Sequence, residues 1–136
     1  MNSKNKPKVS IISPSYLHEK YVAKFLNSIL AQTFTDFELI IIDDRSLDNT
    51  LNIIKSYKDS RIKIIEHHYN MGPSIGFNDG IKNSVGEYIV FIASDDEVCP
   101  TYLQEGINYL EKNKQYNALF FQLEGIDENN HLLKDK

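Results

Sequence analysis

Glu87-Tyr88-Ile89-Val90-Phe91-Ile92-Ala93-Ser94-Asp95-Asp96-Glu97 decides the fold. An apolar run passes unbroken from Tyr88 to Ala93 and then stops on paired carboxylates. A run apolar at every position suits a strand covered on both faces, as in an open parallel sheet. In such sheets ligands bind in the crevice beyond the carboxyl ends of the strands. Asp95 and Asp96 at that point concentrate negative charge, which suits a hard divalent cation carrying a phosphorylated ligand. The alternative use for the pair is to cap the helix that follows.

Working outward, strands and helices alternate. Val9 to Ser13 is a short β-branched strand ended by Pro14. Tyr21, Val22, Phe25, Leu26, Ile29 and Leu30 make one apolar stripe at helical spacing, on a helix expected from about Glu19. Phe37 to Ile42 is a second strand, and it too runs into two carboxylates, Asp43 and Asp44. A polar loop, Arg45 to Thr50, leads to a helix bearing Leu51, Ile53, Ile54 and Tyr57. Arg61 to Ile65 is a third strand. A small-residue helix runs from about Pro73 or Ser74 to Asn83. After the fourth strand comes a helix with Tyr102, Leu103, Ile107 and Leu110, and Tyr116 to Leu123 reads as a fifth strand. Ile126 to Asn130 reads as a turn before a polar tail. Regular β-α alternation predicts a parallel α/β sheet with right-handed crossovers.

With 136 residues, one cysteine and a net charge of -4, the chain is one domain without an internal disulfide. Segment 1–8 reads as a flexible lead, 9–125 as the body and 126–136 as turn and tail. Met1 to Lys8 is basic but has no apolar core behind it, so it does not read as a signal peptide. No apolar stretch reaches transmembrane length. These features fit a cytoplasmic compartment and are compatible with peripheral association at the inner face of a membrane. The acidic balance and scattered basic residues argue against nucleic acid as a partner.

The two Asp-Asp pairs carry the chemistry. In a parallel sheet both strand ends fall on the same edge, and like charges gathered there cost energy unless something neutralises them. Gly72, Gly76 and Gly80 match neither the dinucleotide fingerprint nor a P-loop and read as close packing of a helix on the sheet. The turn Gly72-Pro73-Ser74 offers N–H groups suited to a phosphate. His67 and His68 read as solvated surface, because no further ligand types stand at metal spacing. His18 stands near the first strand's rim, within reach of a ligand. Cys99 has no positioned His to activate it.

Several stretches together resemble the inverting family 2 glycosyltransferases of the GT-A fold. They are Val9 to Tyr16, Ser28 to Phe34, Phe37 to Thr50, Asn70 to Ser74, and Gly86 to Ile89 leading into Ser94-Asp95-Asp96. The match is collinear over almost the whole chain. It implies a mainly parallel, Rossmann-like sheet of about five strands flanked by helices, ending before the acceptor-binding half. It also implies a donor that is a nucleotide-diphosphate sugar, a UDP-sugar first among them, and a glycan or lipid-linked acceptor, in cell-surface polysaccharide or glycan synthesis. By the resemblance, Asp43 and Asp44 sit under the base, and Pro14, Ser15 and Tyr16 line base and ribose. Asn70, Gly72, Ser74 and Asp95 complete the nucleotide site. Asp95 and Asp96 hold Mn²⁺ or Mg²⁺, which neutralises the departing diphosphate.

The chain departs from the family in two places. Ala93 stands where the family often has a first Asp, and Phe77-Asn78 where it commonly has Arg-Asn. Nothing after Gln122 offers a general base, since Asp127 and Glu128 fall in a turn. The resemblance therefore implies the nucleotide-binding half of a transferase. Two other classes match parts of the sequence. One is a degenerate, non-catalytic module that binds a nucleotide or a partner. The other is a phospho-acceptor receiver domain, which needs carboxylates ending the first strand, where Ser13-Pro14 stands.

Overall fold

The first two strands are the interior of the molecule. In the computed structural model, which describes residues 6–127 and 131–133, β1 spans Val9–Ser15 and β2 spans Phe37–Asp43. Every residue of β2 is buried, and all of β1 except the half-buried Pro14. That is what a continuous apolar run permits when both faces are covered. Of the polar residues inside these strands, the Ser10–Glu38 pair is compensated, whereas Ser13 Oγ, Ser15 Oγ and Asp43 Oδ1 are buried without a hydrogen-bond partner. Ser10 Oγ donates to Glu38 Oε1 at 2.6 Å, Val85 N to the same oxygen at 3.1 Å, and Lys63 Nζ approaches Oε2 at 2.5 Å. Burial pushes the Glu38 carboxyl up, and these donors together hold it below its ordinary value.

The remaining elements are α1 (Val22–Leu30), α2 (Thr50–Ser56), β3 (Ile62–Glu66), α3 (Pro73–Asn83), β4 (Tyr88–Phe91) and α4 (Tyr102–Lys112). The sheet order is β3-β2-β1-β4 and every pairing is parallel. α1 begins three residues later than its apolar stripe predicts, because residues 19–21 form a turn and Val22 N bonds His18 O at 2.8 Å. Its buried face is Val22, Phe25, Leu26 and Ile29, an i, i+3, i+4, i+7 set.

α3 lies on β1 and β2. A Cβ on Gly76 would stand 3.1 Å from Pro14 Cβ, and one on Gly80 only 2.2 Å from Ile12 Cγ2. Two of the three glycines spaced by four are therefore packing residues, as their spacing suggested.

Three sequence expectations are corrected. β4 is not covered on both faces. It is an edge strand, and Ile89 and Phe91, on one face, are 41% and 52% exposed. The expected fifth strand does not form among the described residues. Residues 116–123 make no ladder, with Phe120 92% and Leu123 87% exposed. The sheet therefore has four strands. Finally, β1 continues through Pro14 instead of ending there. Pairing of β1 with β4 stops at Ile12↔Phe91, so no partner strand waits for the N–H that Pro14 lacks.

Residues fall into two compact units, Met1–Gln104 and Glu105–Lys136. The first contains the whole sheet. In the second, Tyr109 stacks on Tyr116, and Ile126 bridges Leu132 in antiparallel fashion across the expected turn. Residues 128–130 of that turn, residues 1–5 of the lead and residues 134–136 of the tail lie outside the described residues. No helix among the described residues is long and apolar enough to cross a membrane.

Candidate functional site

The sheet order reverses between β1 and β4. From β1 the chain moves to β2 and β3 on one side and returns to β4 on the other. Such a reversal leaves a crevice beyond the carboxyl ends of the diverging strands. A cavity of about 290 Å³ lies there. Pro14, Ser15, Tyr16 and His18 line it from the end of β1 and the loop beyond. Asp44 comes from the end of β2, Asn70, Gly72, Pro73 and Phe77 from the β3–α3 loop and α3, and Ala93 from the turn after β4.

Asp44 is buried and accepts from three donors. His67 Nδ1 and Met71 N donate to Oδ1 at 2.7 and 2.8 Å, and Gly72 N donates to Oδ2 at 2.8 Å. Burial pushes its carboxyl up, but these donors, Met71 N–H first, hold it below the usual range. Gly72 can present its N–H because its φ is +84°, a left-handed value that glycine adopts at no steric cost. A carboxylate offers about four acceptor positions, so three donors leave Asp44 roughly one for a ligand.

Asp43, by contrast, does not line the cavity. It is buried, its Oδ2 accepts from Ser46 N at 3.1 Å, and its Oδ1 has no partner. Ser74 is exposed in the first turn of α3 and likewise stands outside the lining. Of the residues expected at the nucleotide, the cavity thus brings together Pro14, Ser15, Tyr16, Asp44, Asn70 and Gly72.

Asp95 and Asp96 occupy an exposed turn just after Ala93, closed by Asp96 N bonding Ala93 O at 3.2 Å. They do not cap α4, which begins at Tyr102. His18 connects this turn to the cavity. Ser94 Oγ donates to Pro14 O at 3.2 Å, so its 2.7 Å contact with His18 Nδ1 requires that nitrogen to carry the hydrogen. His18 Nε2 then faces Asp95 Oδ2 at 3.8 Å. Partial desolvation and the Asp95 charge hold the Asp96 carboxyl above its ordinary value, against a smaller opposing pull from His18.

Two adjacent carboxylates are a hard oxygen donor set, suited to Mn²⁺ or Mg²⁺ when substrate phosphates and water complete the shell. No group of three or more His, Cys, Asp or Glu side chains placed to hold a metal ion is found among the described residues.

Sequence reasoning foresaw His18 but missed Pro73, Phe77 and Ala93 as cavity walls, and it misread His67. His67 is buried, not solvated, and only His68 is exposed. The usable signal was register. Asp43 pairs with Glu66 in β3, which sets His67 beside Asp44.

A parallel sheet with a cavity at its reversal point, and carboxylates from two strand ends near it, fits the GT-A architecture, and solved glycosyltransferases share this fold. The chain belongs to glycosyl transferase family 2, whose sequence model it matches over residues 10–135. It is 37% identical over 126 residues to an uncharacterized glycosyltransferase of Haemophilus influenzae, covering 91% of this chain and 39% of that protein. It is also 37% identical over 105 residues to the UDP-Glc:alpha-D-GlcNAc-diphosphoundecaprenol beta-1,3-glucosyltransferase WfgD of Escherichia coli, covering 77% of this chain and 42% of that one. Among solved structures it resembles Staphylococcus aureus TarS 1-349 in complex with UDP, with a TM-score of 0.75 and 32% identity, covering 79% of this chain and 33% of that 1-349 chain. The chain thus spans well under half the length of these relatives.

Proposed function

We propose that this chain is the donor-binding half of a metal-assisted, inverting glycosyltransferase. It holds a nucleotide-diphosphate sugar, of which a UDP-sugar is the leading candidate, for transfer to an acceptor hydroxyl. The observation that carries the reading is the cavity at the β1/β4 reversal, with Asp44 in its wall and the Asp95-Asp96 turn beside it. The UDP bound to TarS and the UDP-Glc in the name of WfgD support it.

Tyr16 and Pro14 give the cavity an apolar wall on which a base can pack, and the remaining acceptor position of Asp44 suits a base N–H. Asp95 and Asp96 hold Mn²⁺ or Mg²⁺, and His18 stands between that pair and the cavity. When bound, the metal offsets the charge that builds on the departing diphosphate. The cavity lining contains no Lys or Arg, while Asp44, Asp95 and Asp96 are all negative. A diphosphate therefore meets net repulsion here until a cation is in place. The cellular setting that fits is assembly of a cell-surface glycan at the inner face of a membrane.

Calorimetric titration with UDP and GDP, with and without Mn²⁺, tests the reading. Binding that requires Mn²⁺ and is lost in Asp95→Asn and Asp96→Asn is the expected result. Absence of heat with every nucleoside diphosphate refutes donor binding. That outcome favours the alternative of a partner-binding module, for which the apolar Phe77 and Ala93 in the cavity wall are the observation.

A further inference from the structure

We propose that His67 is a positioning residue for donor binding: it holds Asp44, and through it the Met71–Gly72 backbone, in the cavity wall. The inference rests on the donor-site reading for its functional half only.

His67 is outside the cavity lining, yet its ring is one of three donors that fix the only carboxylate inside that lining. Its side chain and that of Asp44 are each 4% exposed, so the bond between them is shielded from water. Asp44 is ionised and can only accept, so the 2.7 Å contact assigns the hydrogen to His67 Nδ1. The ring is located from both ends. His67 N donates to Asp43 O at 2.9 Å and extends the β2–β3 ladder. On the far side Nε2 lies 3.3 Å from Asp79 Oδ2 on α3, within ion-pair reach but without hydrogen-bond alignment. Asp79 in turn holds Lys82 at 2.9 Å.

What Asp44 does with the remaining bonds links this brace to the cavity. Met71 N and Gly72 N both end on it, and Gly72 O accepts from Gly76 N at 3.2 Å in the first turn of α3. Asn70, Gly72, Pro73 and Phe77 line the cavity from this same stretch. If the His67 ring is removed, the Asp44 carboxylate keeps only the two backbone donors of the loop, so carboxylate and loop can shift together.

The shape of the side chain supplies the discriminating test. Asparagine places an amide N–H close to the position of Nδ1, whereas glutamine reaches toward the position of Nε2. His67→Asn should therefore keep the bond to Asp44, and His67→Ala and His67→Gln should lose it. Amide hydrogen exchange at Met71 and Gly72, referenced to Ile40 in the sheet core, reads the brace without any ligand. Exchange at those two amides should quicken about tenfold in His67→Ala and His67→Gln and return toward wild type in His67→Asn, the scale of one hydrogen bond to a charged group. The dissociation constant for UDP with Mn²⁺ should rise by a similar, roughly tenfold, factor in the same two variants and not in His67→Asn.

Unchanged protection at Met71 and Gly72 in His67→Ala overturns the proposal, as does equal loss of UDP affinity in all three variants. Protection that changes while UDP affinity stays constant overturns the positioning role. A wild-type chain that binds no UDP overturns the donor reading and, with it, that role; the exchange pattern then decides the brace alone.

Discussion

Gly80→Ala adds one methyl group at the tightest point of the fold. The new Cβ would stand 2.2 Å from Ile12 Cγ2 and 3.3 Å from Ile42 Cδ1. Carbon atoms rest about 3.5–4 Å apart, so Ile12 or the helix must give way by more than an ångström. Ile12 has little freedom to do so. It is fully buried in central β1, β-branched and therefore stiff at χ1, and it packs with Ile40 and Ile42. Overpacking of this kind costs about 1–3 kcal/mol, and the severity of the contact argues for the upper end. Alanine regains about 1 kcal/mol of helix propensity. The net loss is about 2 kcal/mol, or roughly 6–10 °C in Tm for a chain of this size. Thermal and urea unfolding of Gly80→Ala beside Gly76→Ala measures it. Gly76→Ala meets Pro14 at 3.1 Å and should remain within about 1 kcal/mol of wild type. The double variant Gly80→Ala/Ile12→Ala should be more stable than the sum of its parts by at least about 1 kcal/mol, since the second change removes the obstructing methyl group. A Gly80→Ala protein as stable as wild type, or strict additivity in the double variant, refutes the packing argument.

Two further predictions concern charge. Arg61 holds the Asp59 carboxyl down at about 2, through contacts of 3.0 and 2.8 Å. A depressed carboxyl stabilises above its unfolded value and loses that contribution as pH falls toward the folded one. Both side chains are about a quarter exposed, so Asp59→Asn should cost about 1 kcal/mol in urea unfolding at pH 7 and only a small part of that near pH 2. A difference that persists undiminished in acid contradicts the assignment. Asp96 has the opposite sign. Its folded carboxyl lies above the ordinary range, so its contribution is favourable at low pH and is lost as pH rises through that value. Asp96→Asn should raise Tm at neutral pH, with the gain disappearing in acid, and should abolish the stabilisation that Mn²⁺ gives the wild type. Equal Mn²⁺ stabilisation of both proteins would remove Asp96 from the metal site.

The buried parts of the fold were legible because burial leaves a mark on residue type. β2 is apolar at five of its seven positions, and α3 was placed to within a residue by Pro73 and its small-residue face. β4 carries the same kind of run, but Ile89 and Phe91 sit on an open face at the sheet edge. Composition tells how apolar a strand is and not which neighbours it has. Residues 116–123 make the same point, since strand-forming residues make no strand without a partner edge. At the site, Pro14, Ser15, Tyr16, Asp44, Asn70 and Gly72 were expected from the family resemblance and do line the cavity, whereas Pro73, Phe77 and Ala93 were not expected there. His67 was missed, because its role depends on Asp44 and Asp79, 23 and 12 positions away in sequence. Asp43 and Asp44 look alike in sequence, and only the structure turns one into the cavity and the other away from it.

The position of β1 at the heart of the sheet bears on how the chain matures during synthesis. β1 emerges from the ribosome first, can pair with β2 early, and must then wait for β4 to cover its other edge. Roughly fifty residues separate the end of β2 from the end of β4, so at about 5–20 residues per second that edge stays open for several seconds. An open edge on a strand that ends up buried is a template for pairing with the wrong chain. The turn bearing Asp95 and Asp96 is made later still. A nascent chain stalled before Phe91 would therefore have neither a closed sheet nor a complete site, and it is at this stage that a chaperone would find the most to shield.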